Sequence, residues 1–408
     1  MKAVVWHGLG DIRLEDVPKP KIKEDADAIV RLTASAICGT DLHFVRGTFS
    51  GMKPGTVLGH EGVGVIEELG RDVRGFNIGD RVVICSTIAC GACSYCRAGY
   101  YSQCDKANPG GKTAGTAFFG GPEAAGGFDG LQAEYACIPF AHTTLVKLPD
   151  EVSDAQAIML SDIFPTAYFG ADMAGIKPGH TVVVFGCGPV GQFAIASAKL
   201  LGAGRVFAVD AVPSRLDMAR AQGAEVINFN EEHPVETLLR LTNGIGPDCS
   251  IDAVGVDSYH AHQGPAAKLD KQQSAQFEEE LTQNNPDGYK PEGGNWVPGD
   301  APSQALQWEV ESLAKAGTLS IIGVYPPTMK SFPIGAAMNK NLTLRMGNCP
   351  HRKYVPMLVD LVHSGIVDPT QILTQQEPMA SAIDAYEAFD ERKPGWIKVE
   401  LEPLATAA

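Results

Sequence analysis

The chain of 408 residues exceeds the roughly 250 to 300 residues at which a single hydrophobic core stops growing, so two domains are expected. Hydrophobic residues make up 44% and charged residues 20%, a balance typical of a globular enzyme. The net charge of -15 disfavours nucleic acid and anionic membranes as partners. The N-terminal sequence lacks a signal-peptide pattern, and no apolar run reaches the ~20 residues of a membrane span, which predicts a soluble, cytoplasmic protein.

The first part of the chain, from Met1 to about Pro149, alternates between short apolar runs and turns. Runs such as AIVRLTAS and GVGVIEEL are rich in β-branched residues, which is typical of strands. Residues 108–130 are rich in glycine and are predicted to form a loop. We therefore expect an antiparallel β domain here.

Two short motifs in this region, and a third shortly after it, contain side chains that could bind a metal or move a proton. Taken singly, each has an ordinary explanation as a small core residue, a buried histidine or a helix cap. Their joint occurrence favours a functional site over those explanations. The candidates in CGTDLH, GHE and LSDIFPT are Cys38, Thr40, His43, His60, Glu61 and Asp162.

Four of the ten cysteines lie within the segment CGACSYCRAGYYSQC and follow the spacing C-x2-C-x2-C-x7-C. Four thiolates fill the tetrahedral sphere of zinc and leave no position for substrate, so this spacing favours a structural zinc site. An iron–sulfur cluster and, less favoured in a reducing compartment, a disulfide pair remain the alternatives. The proposed ligands are Cys90, Cys93, Cys96 and Cys104.

From about Pro178 the pattern changes to that of a nucleotide-binding domain. TVVVFG predicts a buried strand, VGQFAIASAKLLGA a helix and RVFAVD a second buried strand, which together form a βαβ unit. CSIDAVG and TLSIIGVY predict later parallel strands of the same sheet, because they are apolar without alternation.

The turn GCGPVG follows the first of these strands and opens the helix. It places Gly186, Gly188 and Gly191 in the order of a dinucleotide-binding fingerprint, although a glycine turn that only packs a sheet remains the alternative. Asp210 ends the next strand, where a carboxylate would accept hydrogen bonds from ribose hydroxyls and repel a 2′-phosphate. This favours NAD over NADP, and the nearby Arg215 would moderate the preference.

A polar segment rich in Pro and Gly, about residues 256–303, is longer than a crossover needs and is predicted to be an insertion with a short amphipathic helix. It either covers a ligand or a neighbouring subunit, or is a solvated surface loop. ALQWEVESLAKAG then predicts the crossover helix, and LVDLVHSGIVDP and ASAIDAYEAFDERK predict helices that return to the first domain.

The segment GHEGVGVIEELGRDVRGFNIGDRV, the cysteine-rich segment and GCGPVG, in this order, resemble the zinc-dependent medium-chain alcohol dehydrogenases. LSDIFPT and the insertion after DAVG are most similar to the formaldehyde dehydrogenase-like branch, which includes glutathione-independent formaldehyde dehydrogenases. The resemblance implies an α/β protein with a GroES-like antiparallel β catalytic domain and a Rossmann domain with a doubly wound parallel sheet. The expected boundaries are 1–165, with 345–408 returning to that domain, and 166–344 for the Rossmann domain.

Transferred onto this sequence, the resemblance implies two zinc ions per subunit. Cys38, His60 and Asp162 would bind the catalytic ion, which Glu61 can approach. Thr40 and His43 would form a proton relay. The candidate cofactor contacts are Thr166, Gly186, Gly188, Pro189, Val190, Gly191, Asp210, Arg215, Val254, Gly255, Val324 and Arg345.

The function that the resemblance implies is NAD-dependent oxidation of a small alcohol or aldehyde hydrate, as in a formaldehyde dehydrogenase. An aldehyde dismutase with tightly held NAD is the alternative, and a non-catalytic protein that binds zinc and NAD is a remote one. Compared with the formaldehyde branch, differences at Ser86, Phe164, Ala167 and Phe169 are expected to alter the substrate pocket. A homotetramer or homodimer is expected.

Overall fold

The computed structural model describes residues 1–111, 113, 115–269, 271–285, 288, 290–291 and 293–403. Two compact units make up the chain. The first unit comprises Met1–Pro165, Pro291–Trp296 and Asn348–Ala408, and the second comprises Thr166–Lys290 and Val297–Gly347. A short part of the predicted insertion thus belongs to the first unit, while the rest belongs to the second.

Regular structure is distributed along the whole chain. The strands are β1 (Lys2–Gly8), β2 (Asp11–Asp16), β3 (Ala28–Ile37), β4 (Thr56–Val57), β5 (Gly62–Leu69), β6 (Arg81–Ile84), β7 (Tyr135–Ile138), β8 (Leu145–Lys147), β9 (Thr181–Phe185), β10 (Arg205–Asp210), β11 (Glu225–Asn228), β12 (Cys249–Asp252), β13 (Thr318–Ile321), β14 (Thr343–Met346), β15 (Gln375–Pro378) and β16 (Val399–Glu402). The α-helices are α1 (Gly39–Arg46), α2 (Ser94–Arg97), α3 (Ala141–Thr144), α4 (Asp154–Ile158), α5 (Ile163–Ala174), α6 (Pro189–Leu200), α7 (Pro213–Ala221), α8 (Pro234–Leu241), α9 (Lys271–Asn284), α10 (Gln304–Ser312), α11 (Ile334–Asn339), α12 (His351–His363) and α13 (Ala382–Asp390).

In the first unit, a large sheet has the order β15-β16-β3-β5-β6-β8, with β7 also pairing with β3. A second sheet has the order β2-β1-β4. All strand pairs of this unit are antiparallel except β15 and β16. The exception arises because α13 connects β15 to β16, and a helical crossover permits parallel pairing. The antiparallel β domain predicted from the sequence is confirmed.

The core of the large sheet is formed by alternating residues of its central strands together with residues of the loops that follow them. Three of the cysteines from the cysteine-rich segment are part of this core, so the segment is packed against the sheet and not only attached to it. Representative fully buried members are Val30, Leu32, Val82, Ile84, Phe119, Leu131 and Leu145.

In the second unit, six parallel strands are ordered β11-β10-β9-β12-β13-β14. The chain moves outwards from β9 in one direction through β11, then crosses back and moves in the other direction, which is the doubly wound arrangement. Residues 182–184 of β9 are completely buried, as expected for a central parallel strand covered on both faces. The predicted Rossmann sheet is therefore confirmed.

The remaining predicted segments also form structure. The insertion contains α9 and two short 3₁₀ helices, at Gly255–Asp257 and Pro265–Ala267, while residues 270, 286, 287, 289 and 292 lie outside the described part. The glycine-rich stretch contains a 3₁₀ turn at Glu123–Ala125, and its residues 112 and 114 are likewise not described. Within the described residues, no helix is both long and apolar enough to cross a bilayer.

Candidate active site and metal centres

Neighbouring strands bring the first set of predicted site residues together. Cys38 follows β3 and is the N-cap of α1, while His60 and Glu61 immediately precede β5. Because Ser35 of β3 pairs with Gly62 of β5 in an antiparallel register, the end of one strand lies beside the start of the other. The pairing of β3 with β5 thus positions three of the four candidate ligands.

The fourth candidate, Asp162, is fixed by its neighbour Ser161. The Ser161 hydroxyl donates to the Ile84 carbonyl at 2.6 Å and accepts from the Gly62 backbone N–H at 2.9 Å. Both partners belong to the strands β5 and β6, so the turn before α5 is tied to the sheet. These hydrogen bonds therefore place Asp162 beside the other three candidate ligands.

Four potential ligand atoms converge at this point. His60 Nε2 lies 3.3 Å from Asp162 Oδ2, and Cys38 Sγ lies 3.7 Å from the same oxygen. One ligand atom from each of Cys38, His60, Glu61 and Asp162 lies within 4.8 Å of the others, and all four residues are buried. Sulfur, imidazole and carboxylate donors in this arrangement match the ligand preference of zinc.

The imidazole of His60 is oriented from behind by Asp41. Its Nδ1 lies 3.2 Å from Asp41 Oδ1, so Nε2 faces Cys38 and Asp162. Asp41 Oδ2 in turn accepts from the Cys38 backbone N–H at 2.9 Å and from Gln132 Nε2 at 3.3 Å. Burial opposes protonation of His60, but the charges of Asp41 and Cys38 outweigh it and raise its pKa. A carboxylate behind a ligand histidine is the usual outer partner of a metal site.

Glu61 forms a completely buried ion pair with Lys398, whose ammonium also donates to the Ile37 carbonyl at 3.1 Å. Burial raises the pKa of Glu61 to about 7, although Lys398 acts in the opposite direction. Among the described residues, Glu61 Oε1 has no hydrogen-bond partner. A buried carboxylate oxygen without a donor, beside three ligand side chains, fits a site for a cation.

Asp162 is held by a second histidine, His351, which no motif of the sequence had indicated. His351 Nε2 lies 2.7 Å from Asp162 Oδ1, and His351 Nδ1 lies 3.1 Å from the Thr87 hydroxyl. Burial alone would raise the pKa of Asp162, but His351 and His60 hold it well below its usual range. His351 thus occupies one carboxylate oxygen and leaves the other facing Cys38 and His60.

The predicted proton-relay residues both lie on α1. Thr40 is half-buried in the first turn, and His43 follows three residues later on the same face, buried and with its ring centroid 5.8 Å from that of Phe49. The helix begins at Cys38 and ends at Gly47, which adopts a left-handed conformation with φ of 84°. A potential ligand and the two relay candidates are therefore positioned by one short helix.

The cysteine-rich segment forms a second, separate cluster. Its four sulfur ligands lie within 4.8 Å of one another and form no disulfide. Backbone N–H groups point at the sulfurs: Cys90 N–H donates to Cys104 Sγ at 3.3 Å, and Ala92 N–H to Cys90 Sγ at 3.4 Å. Such bonds favour the thiolate form, so this cluster also fits a metal ion.

The glycine turn adopts the geometry that its residues predict. Gly186 has φ of 86°, which favours glycine, and a Cβ on Gly191 would lie only 1.8 Å from the Gly186 carbonyl oxygen. Gly188 is the N-cap of α6, and Pro189 is its first residue. The free N–H groups at this helix start can bind a phosphate.

Other predicted cofactor residues border this turn. A Cβ on Gly186 would lie 2.8 Å from the Val254 side chain, and one on Gly255 would lie 2.5 Å from the Val324 backbone nitrogen. Asp210 accepts from the Cys187 backbone N–H at 2.7 Å, which fixes its carboxylate beside the turn. The structure thus groups these residues around the carboxyl ends of the strands.

Arg215 and Arg345 occupy different surroundings. A Cβ on Gly188 would lie 3.8 Å from the Arg215 guanidinium, so Arg215 belongs to the glycine turn. Arg345 instead donates to the Met173 carbonyl at 3.2 Å and lines a cavity with Thr318, at the start of β13. That cavity lies at the amino-terminal edge of the sheet, opposite the glycine turn. The structure therefore does not bring Arg345 to the other predicted cofactor residues.

Sequence reasoning missed the side chains that support the first cluster. Asp41 carried a local signal, because it stands three residues after Cys38 and forms a capping box with it. Gln132, His351, Tyr386 and Lys398 carried none. Tyr386 extends the network by donating to Gln132 at 2.8 Å.

Comparison with known proteins gives a consistent result. Residues 24–150 match the alcohol dehydrogenase GroES-like domain, and residues 189–262 match the zinc-binding dehydrogenase family. A zinc-type alcohol dehydrogenase-like protein of Bacillus subtilis, AdhB, is 38% identical over 407 residues, which cover 99% of this chain and 100% of that one. The alcohol dehydrogenase TADH from Thermus sp. ATN1 superimposes with a TM-score of 0.80 at 32% identity, covering 98% and 99% of the two chains. A glutathione-independent formaldehyde dehydrogenase of Pseudomonas aeruginosa is 39% identical over 275 residues, 64% of this chain and 68% of that one.

Proposed function

Because the chain belongs to the zinc-type medium-chain alcohol dehydrogenase family, we propose that it oxidises a small alcohol or aldehyde hydrate by hydride transfer to NAD. The observation that supports this most strongly is the convergence of Cys38, His60 and Asp162 from three separate segments, with Glu61 beside them. Membership in the family makes the protein an oxidoreductase, and the nature of the substrate is the proposed part.

In this proposal, Cys38, His60 and Asp162 hold one zinc ion, Glu61 lies close to it, and the four cysteines of the cysteine-rich segment hold another. Held by these residues, zinc would supply Lewis acidity to the substrate oxygen. Cys38 and Asp162 provide two negative charges, which balance a divalent cation. Asp41 and His351 keep the ligand side chains oriented.

The proton of the substrate hydroxyl leaves through the residues of α1. The Thr40 hydroxyl accepts it, and His43 releases it to solvent, because an imidazole exchanges protons readily near neutrality. The supporting observation is that both residues lie on one face of the helix that Cys38 caps. The relay therefore begins next to a metal ligand.

NAD, which accepts the hydride, is proposed to bind at the glycine turn. Gly186, Gly188 and Gly191 allow the backbone to approach the pyrophosphate. The Asp210 carboxylate is fixed at the end of β10, where it repels a 2′-phosphate, so NAD is preferred to NADP. Arg215 lies near Gly188 and would weaken that preference without reversing it.

Formaldehyde or a similarly small compound is the proposed substrate class, because the relative from Pseudomonas aeruginosa acts on formaldehyde and matches 64% of this chain. Ser86, which differs from the formaldehyde branch, is buried, and its backbone N–H donates to the carbonyl of Ser161, the neighbour of Asp162, at 3.1 Å. Phe164 is also completely buried. These differences support a preference for another small compound of this class over formaldehyde itself.

The test combines zinc analysis with NADH formation across formaldehyde and primary and secondary alcohols. We expect two zinc ions per chain in the wild type and one in Asp162→Ala. Turnover should fall by about 10³-fold, since Lewis-acid stabilisation is worth several kcal/mol. Cys85→Ala is the matched control, because Cys85 is a buried free cysteine outside both clusters. Full turnover in an Asp162→Ala enzyme that has lost one zinc would overturn the proposal.

The same preparation separates the dehydrogenase from the dismutase. A dehydrogenase needs added NAD after desalting, whereas a dismutase retains NAD and converts an aldehyde into equal amounts of alcohol and acid without it. We expect dependence on added NAD. Disproportionation by desalted enzyme would replace the dehydrogenase proposal with the alternative.

A further inference from the structure

A third group of potential metal ligands lies in the second unit, within the insertion. One ligand atom from each of His260, His262 and Asp300 lies within 4.8 Å of the others. His260 and His262 stand near the start of the insertion and Asp300 near its end. None of the three has a role in the proposed reaction.

The backbone around these residues is a closely built junction of two segments, residues 257–262 and 297–301. Ala301 N–H donates to the Ser258 carbonyl at 3.0 Å, and Gly299 N–H to Asp257 Oδ1 at 3.3 Å. A Cβ on Gly299 would lie 2.3 Å from the Ser258 carbonyl oxygen, so the two segments are in direct contact. The three side chains therefore extend from two backbone segments that are held against each other by hydrogen bonds.

The side chains are also oriented individually. Asp300 Oδ1 accepts from the His260 backbone N–H at 2.9 Å, and Asp300 Oδ2 lies 2.9 Å from His260 Nδ1. The His262 backbone N–H donates to Asn230 Oδ1 at 3.0 Å, and the two imidazole centroids are 4.6 Å apart. The second histidine is thus held against the first by a contact outside the insertion.

We propose that His260, His262 and Asp300 bind a divalent transition-metal ion, with Zn²⁺ as the best match, which fastens the two ends of the insertion to each other. Two imidazoles and one carboxylate form a common ligand set for such ions. In a tetrahedral zinc site with bonds of about 2.0–2.1 Å, ligand atoms are about 3.3 Å apart. The three ligand atoms here lie within 4.8 Å of one another, which is close to that spacing. The fourth position is left for water.

Exposure and charge agree with this assignment. The side chains of His260 and Asp300 are 29% and 35% exposed, and His262 is exposed, so an ion can enter from solvent. The Asp300 carboxylate attracts a dication, as does the net charge of -15. A simple ion pair between His260 and Asp300 would not require His262, which makes His262 the residue that distinguishes the two explanations.

The experiment is equilibrium dialysis of the purified enzyme against a series of buffered free Zn²⁺ concentrations, with elemental analysis of zinc per chain. As free Zn²⁺ is raised, we expect the wild type to bind one further equivalent of zinc beyond its content at the lowest free Zn²⁺ concentration. His262→Gln and Asp300→Asn should each bind that further equivalent at least about tenfold more weakly. His363→Gln is the matched control, because His363 is an exposed histidine 3.5 Å from Glu151 and, among the described residues, belongs to none of the three groups of potential metal ligands. It should bind the additional zinc like the wild type.

Two results would overturn the proposal: no additional equivalent in the wild type, or the same additional equivalent in His262→Gln and Asp300→Asn. The readout is the difference between variants and does not depend on turnover. It is therefore independent of the proposed function, whose failure would change the zinc content at Asp162 and leave this difference intact. Circular dichroism of each variant checks that it is folded, and Asp300→Asn provides a second test if His262→Gln is not.

Discussion

The two clusters of potential metal ligands in the first unit are built in different ways. The cysteine cluster comes from one segment of 15 residues, Cys90 to Cys104, and its sulfurs receive hydrogen bonds from nearby backbone N–H groups. The other cluster joins Cys38, His60 and Asp162, which are far apart in sequence, and is oriented by further side chains. Local backbone geometry determines the first cluster, and the tertiary structure determines the second.

This difference predicts that the two clusters fail in different ways. Removing a cysteine from the local cluster releases a segment that has little other regular structure, since it contains only a four-residue helix and a 3₁₀ turn. Removing a supporting side chain from the other cluster leaves the strands in place but leaves a buried charge without its partner. Loss of a cysteine should therefore lower the stability of the protein. Loss of a supporting side chain should instead disturb the orientation of the potential ligands or the charge balance around them.

The largest effect is expected for Cys93→Ser. It should remove one zinc ion and lower stability strongly, because structural zinc binding in small sites is worth on the order of 10 kcal/mol. Thermal unfolding together with zinc analysis measures this. Cys137→Ser is the control, because Cys137 is a partly buried free cysteine outside both clusters. An intact Cys93→Ser enzyme with an unchanged melting temperature would contradict a structural role for the cluster.

The next largest effect is expected for Lys398→Met, which leaves Glu61 buried without its cation. Such a change costs about 3–5 kcal/mol, because the remaining charge is not compensated. Adding Glu61→Gln should recover most of the loss. Denaturant unfolding of the two single variants and the double variant gives the coupling energy.

The control is Lys393→Met, at an exposed lysine 3.2 Å from Glu391, which should change the free energy of unfolding by less than about 1 kcal/mol. Additive losses in the double variant would show that the pair is not coupled.

The sequence predicted the local features of the molecule well. The cysteines from Cys90 to Cys104 and the glycines from Gly186 to Gly191 each form their site within one short segment. Their spacing therefore predicts the site without knowledge of the fold. The strand patterns predicted both sheets for the same reason. The exception is the parallel pairing of β15 with β16, which depends on the crossover through α13 and not on the strands themselves.

The supporting side chains could not be predicted in this way. Lys398 is 337 residues from Glu61, and His351 is 189 residues from Asp162, so no periodicity or spacing connects them. Both lie within residues 345–408, which were expected to return to the first domain, but outside the two helices predicted there. Arg345 shows a different limit of prediction. The resemblance implied that Arg345 contacts the cofactor, but its side chain lines a cavity at the opposite edge of the sheet from the glycine turn.

The two clusters should also differ in thiol reactivity once a chelator has removed bound metal. Partial burial opposes ionisation of Cys93, but the backbone N–H groups of Cys96 and Asp105 outweigh it and lower its pKa to about 7. Burial raises the pKa of Cys38. At neutral pH about half of Cys93 is thiolate, whereas the raised pKa keeps Cys38 mostly protonated, so iodoacetamide should modify Cys93 at least about tenfold faster. Peptide mapping over time measures the two rates, and equal rates would contradict the difference.

The smallest effect is expected at His351, which we predict to act as a positioning residue for Asp162. His351→Ala should weaken zinc retention at the second cluster and lower kcat by about 10–100-fold, the usual consequence of losing an outer hydrogen-bond partner. His351→Gln keeps an N–H donor for Asp162 and should restore part of both.

Competition with a chelator measures zinc retention, and the separation of kcat from KM shows whether orientation or substrate binding has changed. Thr87→Val is the graded control, because it removes only the hydroxyl that lies 3.1 Å from His351 Nδ1 and should have a weaker effect in the same direction. If His351→Ala lowered stability but left zinc retention and kcat unchanged, His351 would support the fold alone. Asp162 would then be oriented by Ser161 and the sheet to which Ser161 is bonded.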